Sequence, residues 1–372
     1  MFSAGFRTFF LAASLWAALA VPIWLAAYAH GYALPGALPA LYWHAHEMIF
    51  GYALAAVAGF LLTAIPNWTG RLPIRGAPLA ALAALWLAGR VAMFTPASWI
   101  ELGFPAALIA MVARELIAGR NWRNLPMLAA LALLFAGDVL VHLQALEVAD
   151  TAALGNRLAL ATLLALIALV GGRIIPSFTR NWLVRAKPGG ALPAPLGRLD
   201  LACLVAILAG LAAWVAAPGT ATAAALEIIA GAAAALRLSR WRGLATLREP
   251  LLVVLHAGYA WLALGLVLLG LGGLWPALPA GAALHALGVG AVGTMTLGVM
   301  TRATLGHSGR ALAAGAGTSA IYALVTIGAA LRVLAPFTAQ ALILTSLAGA
   351  AWSAAFLLFA ILYAPIFFAN KK

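Results

Sequence analysis

Apolar runs of about 20 residues recur from one end of the chain to the other, separated by short clusters of Arg, Pro, Gly and Trp. At a rise of 1.5 Å per residue, a helix of that length crosses a hydrocarbon core about 30 Å thick. Barrel strands would need only about 9 to 11 residues and would alternate in polarity, which these runs do not. The pattern predicts an all-α, polytopic transmembrane helical bundle of about twelve spans. They fall at 7–28, 44–65, 76–93, 98–118, 125–146, 156–176, 198–217, 222–239, 251–272, 281–301, 310–333 and 340–368. The third and eighth are the least regular, because Arg90 closes one and Glu227 lies inside the other.

The longest break, about 176–197, is rich in Pro and Gly and leaves six spans on either side. It divides a single integral membrane domain, 1–372, into six-helix halves at 7–176 and 198–368. No matching pair of motifs relates the halves.

Composition agrees with a membrane setting. Hydrophobic residues make up 65% and charged residues 8%, too little polar surface to dress a soluble protein of 372 residues. The proposed spans place all of the 22 basic residues except Arg90, Arg157 and Arg332 on one side. By the positive-inside rule that side is cytoplasmic, so both termini face the cytoplasm and the span number is even. The net charge of +13 is spread over every cytoplasmic turn, with no aromatic and basic platform. It therefore points to anionic membrane lipid as a partner and not to nucleic acid. Arg7 precedes the first run as in a signal peptide, but no small-residue cleavage pattern follows, and the run reads as a retained span. Cys203 is the lone cysteine, which excludes intrachain disulfides and thiolate-held iron–sulfur clusters.

Only 9 acidic residues and 7 histidines occur, so their grouping guides the search for chemistry. The most conspicuous group is His44, His46 and Glu47, in the stretch from Tyr42 to Tyr52 at the mouth of the second span. Two residues apart, the imidazoles point about 200° from each other on a helix and share one site only if the segment unwinds. Glu47, three residues after His44, shares that residue's face. An interfacial polar cap is the plain alternative. Asp138 and His142 stand four apart on one face of the fifth span, as in a carboxylate that orients a ligating imidazole or in a simple satisfied pair. The topology puts His30, His44, His46, His142 and His285 towards the non-cytoplasmic face, and His256 and His307 on the cytoplasmic half. His285 opens a span thinned by Gly288, Gly290, Gly293 and Gly298, a surface for close helix packing or a slot for a flat macrocycle. Met295 and Met300 on that span read as core filling. His256 lies about 10 Å inside the ninth span, at the depth of an axial haem ligand or of a hydrogen-bonded packing residue.

Three further runs punctuate the cytoplasmic side: Pro66 to Arg71, Gly171 to Asn181 and Met300 to Arg310. They read as polar turns that build a common mouth. Arg173, Arg302 and Arg310 in them would neutralise anions such as haem propionates, and His307 is flanked by glycines. Imidazole-rich ligation with few carboxylates and no thiolate suits haem iron, copper or zinc. The CxxCH attachment signature is absent, so any haem is held without a covalent bond, as haem b is. The candidate ligands are His44, His46, His142, His256, His285 and His307.

The runs His44-Ala-His-Glu-Met-Ile-Phe-Gly-Tyr, Gly171-Gly-Arg-Ile-Ile-Pro-Ser-Phe-Thr-Arg-Asn and Met300-Thr-Arg-Ala-Thr-Leu-Gly-His-Ser-Gly-Arg resemble those of the NnrS family, over about 3–368. The resemblance implies a twelve-span protein of the bacterial inner membrane that carries haem and copper and is associated with nitric oxide metabolism, denitrification and nitrosative stress. His44, His46 and Glu47 match its first motif; Arg173, Pro176 and Asn181 its central one; Arg302, His307 and Arg310 its last. The leading expectation is a haem-copper protein that handles nitric oxide. As an enzyme resembling a nitric oxide reductase it would form nitrous oxide, with Glu47 and Asp138 supplying protons. The electron donor and the oligomeric state are not legible. A sensor or metal-protecting protein would use the same ligands without turnover, and a proton-coupled secondary transporter is the alternative from a different class.

Overall fold

The computed structural model describes residues 1–186 and 190–369, so Lys187, Lys371 and Lys372 of the charge pattern lie outside the described residues. Among those residues the protein is helical, with no strand. We number the helices α1 Gly5–His30, α2 Ala40–Thr69, α3 Ala77–Ala92, α4 Gly103–Ala118, α5 Leu125–Ala145 and α6 Ala152–Ala186. They continue with α7 Arg198–Ala216, α8 Ala221–Ser239, α9 Pro250–Leu274, α10 Ala280–His307, α11 Ala316–Leu334 and α12 Ala341–Phe368. Ten of them are long and apolar enough to cross a membrane. The other two, α3 and α4, have 16 residues each. That is about 24 Å of helix, short of a full hydrocarbon core.

The predicted positions agree with the helices, but two helices run further than expected. Gly171 to Asn181 is not a turn: α6 continues through it to Ala186, burying Ile175, Thr179 and Leu183 while Arg173 and Arg180 stay exposed. Met300 to His307 is likewise helical, and the chain turns only at Gly309, whose φ of +71° suits glycine. Of the Pro66 to Arg71 run, residues to Thr69 are helical. Gly70 ends α2 in the left-handed region at φ +69°, its N–H donating to the Pro66 carbonyl. Arg and Pro were read as loop punctuation in these runs, whereas a helix leaving the membrane tolerates both on its solvated face.

Three helices carry a π-helical segment: Glu47–Ala53 in α2, Ile167–Gly171 in α6 and Ala286–Gly293 in α10. Their starts lie 120 and 119 residues apart along the chain. In each, the fifth residue is glycine: Gly51, Gly171 and Gly290. The shared feature is a backbone irregularity, which explains why no pair of side-chain motifs reveals it. Widening a helix frees backbone carbonyls, and side-chain donors take them. Trp86 Nε1 donates to the Gly51 carbonyl at 2.8 Å, the Arg237 guanidinium to the Ala168 carbonyl at 3.0 Å, and Thr296 Oγ1 to the Val292 carbonyl at 2.8 Å.

The chain divides into two compact units. The first comprises Met1–Thr162, Ala303–Arg310 and Phe356–Lys372. Its core holds Phe9, Phe10, Phe50, Phe104 and Phe356, and the buried Arg7 donates to the Phe367 carbonyl at 3.1 Å. The second comprises Leu163–Arg302 and Ala311–Ala355. There α8 and α9 approach closely: a Cβ added at Gly231 would meet the Ala263 carbonyl oxygen at 2.8 Å. Arg237 of this unit is buried against the Tyr259 hydroxyl, at 2.9 Å, with Asp200 at 3.7 Å.

Candidate metal centre

In the first unit, α2, α3, α5 and the 3₁₀ turn Ser98–Leu102 bring five ionisable side chains together out of reach of solvent. His46 is the last residue before the π-helical segment of α2, and Glu47 is the first within it. Arg90 comes from the end of α3, Glu101 from the turn that leads into α4, and Asp138 from α5. All five are at most 1% exposed. His142, one turn beyond Asp138, completes the group at 1%.

The contacts form a chain. His46 Nδ1 donates to Glu47 Oε1 at 2.9 Å. Glu47 Oε2 accepts from Arg90 at 2.5 Å and from Trp16 Nε1 of α1 at 2.7 Å. The other Arg90 nitrogen donates to Glu101 Oε1, also at 2.5 Å. Beyond this bridge four groups converge: His46 Nε2 lies 3.0 Å from Asp138 Oδ1 and 4.0 Å from Glu101 Oε2, while His142 Nε2 lies 3.5 and 3.7 Å from the same two oxygens. One ligand atom from each of His46, Glu101, Asp138 and His142 falls within 4.8 Å of all the others.

Glu101 Oε2, Asp138 Oδ2 and His142 Nε2 make no hydrogen bond within the protein, while the Asp138 oxygen at the convergence, Oδ1, is hydrogen-bonded to His46 Nε2 at 3.0 Å. An unpaired buried polar atom costs roughly 1–3 kcal/mol, and two of them, Glu101 Oε2 and His142 Nε2 at 3.7 Å from each other, point to a ligand. A metal ion answers that need. Ligands about 2.1 Å from a tetrahedral ion stand about 3.4 Å apart, and the separations above bracket that value. The supporting shell is present too, since Glu47 orients His46 through Nδ1 and Ser98 Oγ lies 3.4 Å from His142 Nδ1.

The structure separates residues that the sequence grouped. His44 and His46 diverge as a continuous helix requires: His44 stacks on Trp24, ring centroids 4.2 Å apart, while His46 enters the cluster. Glu47, expected on the face of His44, bonds its neighbour His46, because the helix widens at that point. Asp138 and His142 do share a face. His285 belongs to the second unit, where its Nδ1 donates to the Gly281 carbonyl at 2.6 Å. His256, in the same unit, donates from Nδ1 to the Leu252 carbonyl at 3.0 Å and sets Nε2 3.5 Å from Thr179 Oγ1. Such bonds fix the proton of each ring on Nδ1. Arg302 lies over the Phe178 ring at 4.0 Å, whereas Arg173, Arg310 and His307 are exposed. The His307 ring is 6.0 Å from that of Phe6.

Arg90 and Glu101 carry the cluster and escaped the sequence reading. Arg90 registered only as a blemish in a weak span. A charged residue in an apolar helix demands a buried partner, and Glu101, among so few acids, was a candidate for it.

Helices of this length and apolarity, with two imidazoles and two carboxylates facing one another inside the bundle, define a polytopic membrane protein with a candidate metal centre. The family model described as NnrS protein matches residues 1–371, and the chain belongs to that family. No curated protein matches it.

Proposed function

We propose that this protein handles nitric oxide at metal centres in the bacterial inner membrane, in nitrosative stress or denitrification. The observation that carries the reading is the buried convergence of His46, Glu101, Asp138 and His142 in a chain that belongs throughout to the NnrS family. An iron(II) ion bound there would have room beyond the four side chains for the nitrogen of nitric oxide and could change its charge, which zinc(II) cannot. The chain's own residues do the rest. Glu47 fixes the tautomer of His46, Arg90 holds Glu47 and Glu101 in place, and the apolar walls exclude water. Asp138 is assigned to ligation and Glu47 to orientation, in place of the proton supply expected from the sequence.

Haem b is assigned to the second unit, where His256 would hold it on the same half as Arg302 and Arg173, whose guanidinium groups would meet its propionates; His285, on the other half, would serve a separate site. Copper, the other metal implied by the resemblance, would meet the two imidazoles of the cluster only with two carboxylates and no sulfur beside them. The optical spectrum of the purified protein tests the haem: a Soret band that moves on adding nitric oxide is expected. Protein from haem-replete cells without that band would remove haem from the account.

Twelve membrane crossings with both termini in the cytoplasm complete the proposal, and they place the cluster towards the outer face. Reporter tags at either terminus should then signal cytoplasm, and a tag between Glu147 and Gly155 the opposite side. A cytoplasmic signal from the latter would invert the assignment of faces.

A further inference from the structure

The charges enclosed around the cluster set the kind of ion it takes. Three carboxylates, Glu47, Glu101 and Asp138, meet one guanidinium, that of Arg90. Among the described residues no other Arg or Lys is ion-paired with any of the three. With both imidazoles neutral, as metal ligands must be, the protein contributes two negative charges in excess. An ion of charge two brings the buried group to neutrality, whereas copper(I) would strand one negative charge inside an apolar bundle. An uncompensated buried charge is the costlier arrangement by several kcal/mol.

The donor atoms point the same way. Soft sulfur ligands select copper(I), while imidazole with carboxylate suits iron(II) and zinc(II). The converging side chains offer two nitrogens and two carboxylates and no sulfur. Glu101 Oε2 and His142 Nε2, neither hydrogen-bonded within the protein, lie 3.7 Å apart, and Asp138 Oδ1 lies 3.5 Å from the same nitrogen. From this enclosure, and resting on the reading of the cluster as a metal centre, we propose that His46, Glu101, Asp138 and His142 hold a single divalent ion of the iron(II) and zinc(II) class in preference to copper(I).

The test uses the full chain in detergent, stripped of metal with a chelator and titrated without oxygen. Cobalt(II) serves as the visible probe, and zinc(II) and copper(I) as competitors. One equivalent of cobalt(II) should bind, giving ligand-field absorption without a sulfur charge-transfer band. Zinc(II) should displace it, and equimolar copper(I) should not. Glu101→Gln should weaken cobalt(II) binding at least about tenfold, and His142→Ala should weaken it further. His44→Ala, outside the ligand set, should leave it unchanged. Displacement of cobalt(II) by equimolar copper(I), no stoichiometric cobalt(II), or wild-type affinity in His142→Ala would each overturn the proposal. The competition needs no variant, so a substitution that fails to fold does not protect the idea. Cobalt(II) binding without any spectral response to nitric oxide would leave this inference standing and remove the cluster from the nitric oxide reading.

Discussion

Arg90→Met should lower the stability of the metal-free protein by about 3–5 kcal/mol, the usual result of removing one partner from a buried ion pair. Glu47 and Glu101 each accept from Arg90 at 2.5 Å, and neither reaches solvent. Methionine fills much of the volume but leaves two carboxylates facing each other without a cation. The observable is the thermal midpoint in detergent, together with the fraction of protein that elutes as a single species. The double variant Arg90→Met, Glu101→Gln should recover part of the loss, because it removes one of the stranded charges. An unchanged midpoint in the single variant would show that these carboxylates are not held as the bridge implies.

The second large effect concerns affinity. Glu47→Gln keeps the shape of the side chain, but with its amide oxygen in the Oε2 position its nitrogen faces His46 Nδ1 and cannot accept from it, and the charge that anchors Arg90 and polarises the imidazole is lost. Removing such a supporting carboxylate weakens metal binding about 10–100-fold. The protein should still fold, since Arg90 retains Glu101, and Trp16 Nε1 can donate to the amide oxygen that replaces Oε2. Competition between the protein and a zinc(II) chelator reads the effect. Equal affinities in the variant and the wild type would place Glu47 outside the supporting shell.

The helices were legible because apolar run length is a direct physical requirement of the bilayer, and all of the described helices lie where those runs predict. What the runs did not show was where helices outlast the membrane. Arg173, Pro176 and Arg302 look like loop residues, yet they sit in α6 and α10, where the helix carries on beyond its most apolar stretch. Half of the cluster was legible too, because His46 with Glu47 and Asp138 with His142 are local pairs that spacing reveals. The other half depends on approach between distant elements. His46 and Asp138 are 92 positions apart, and only packing brings them to 3.0 Å. Arg90 and Glu101 were hidden for a related reason: each is a lone charge in an apolar context, and its meaning lies in the partner. The π-helical segments leave no side-chain signature beyond a glycine, so their recurrence is visible only in the backbone.

The account depends on one object, a metal held by His46, Glu101, Asp138 and His142 and open to nitric oxide. X-ray absorption at the metal edge of the purified protein, before and after nitric oxide, observes that object directly. The expected result is a first shell of nitrogen and oxygen containing two imidazoles and no sulfur, absent from His142→Ala and altered when nitric oxide is added. A wild-type protein with no bound metal at the cluster, or a shell that nitric oxide leaves unchanged, would contradict it.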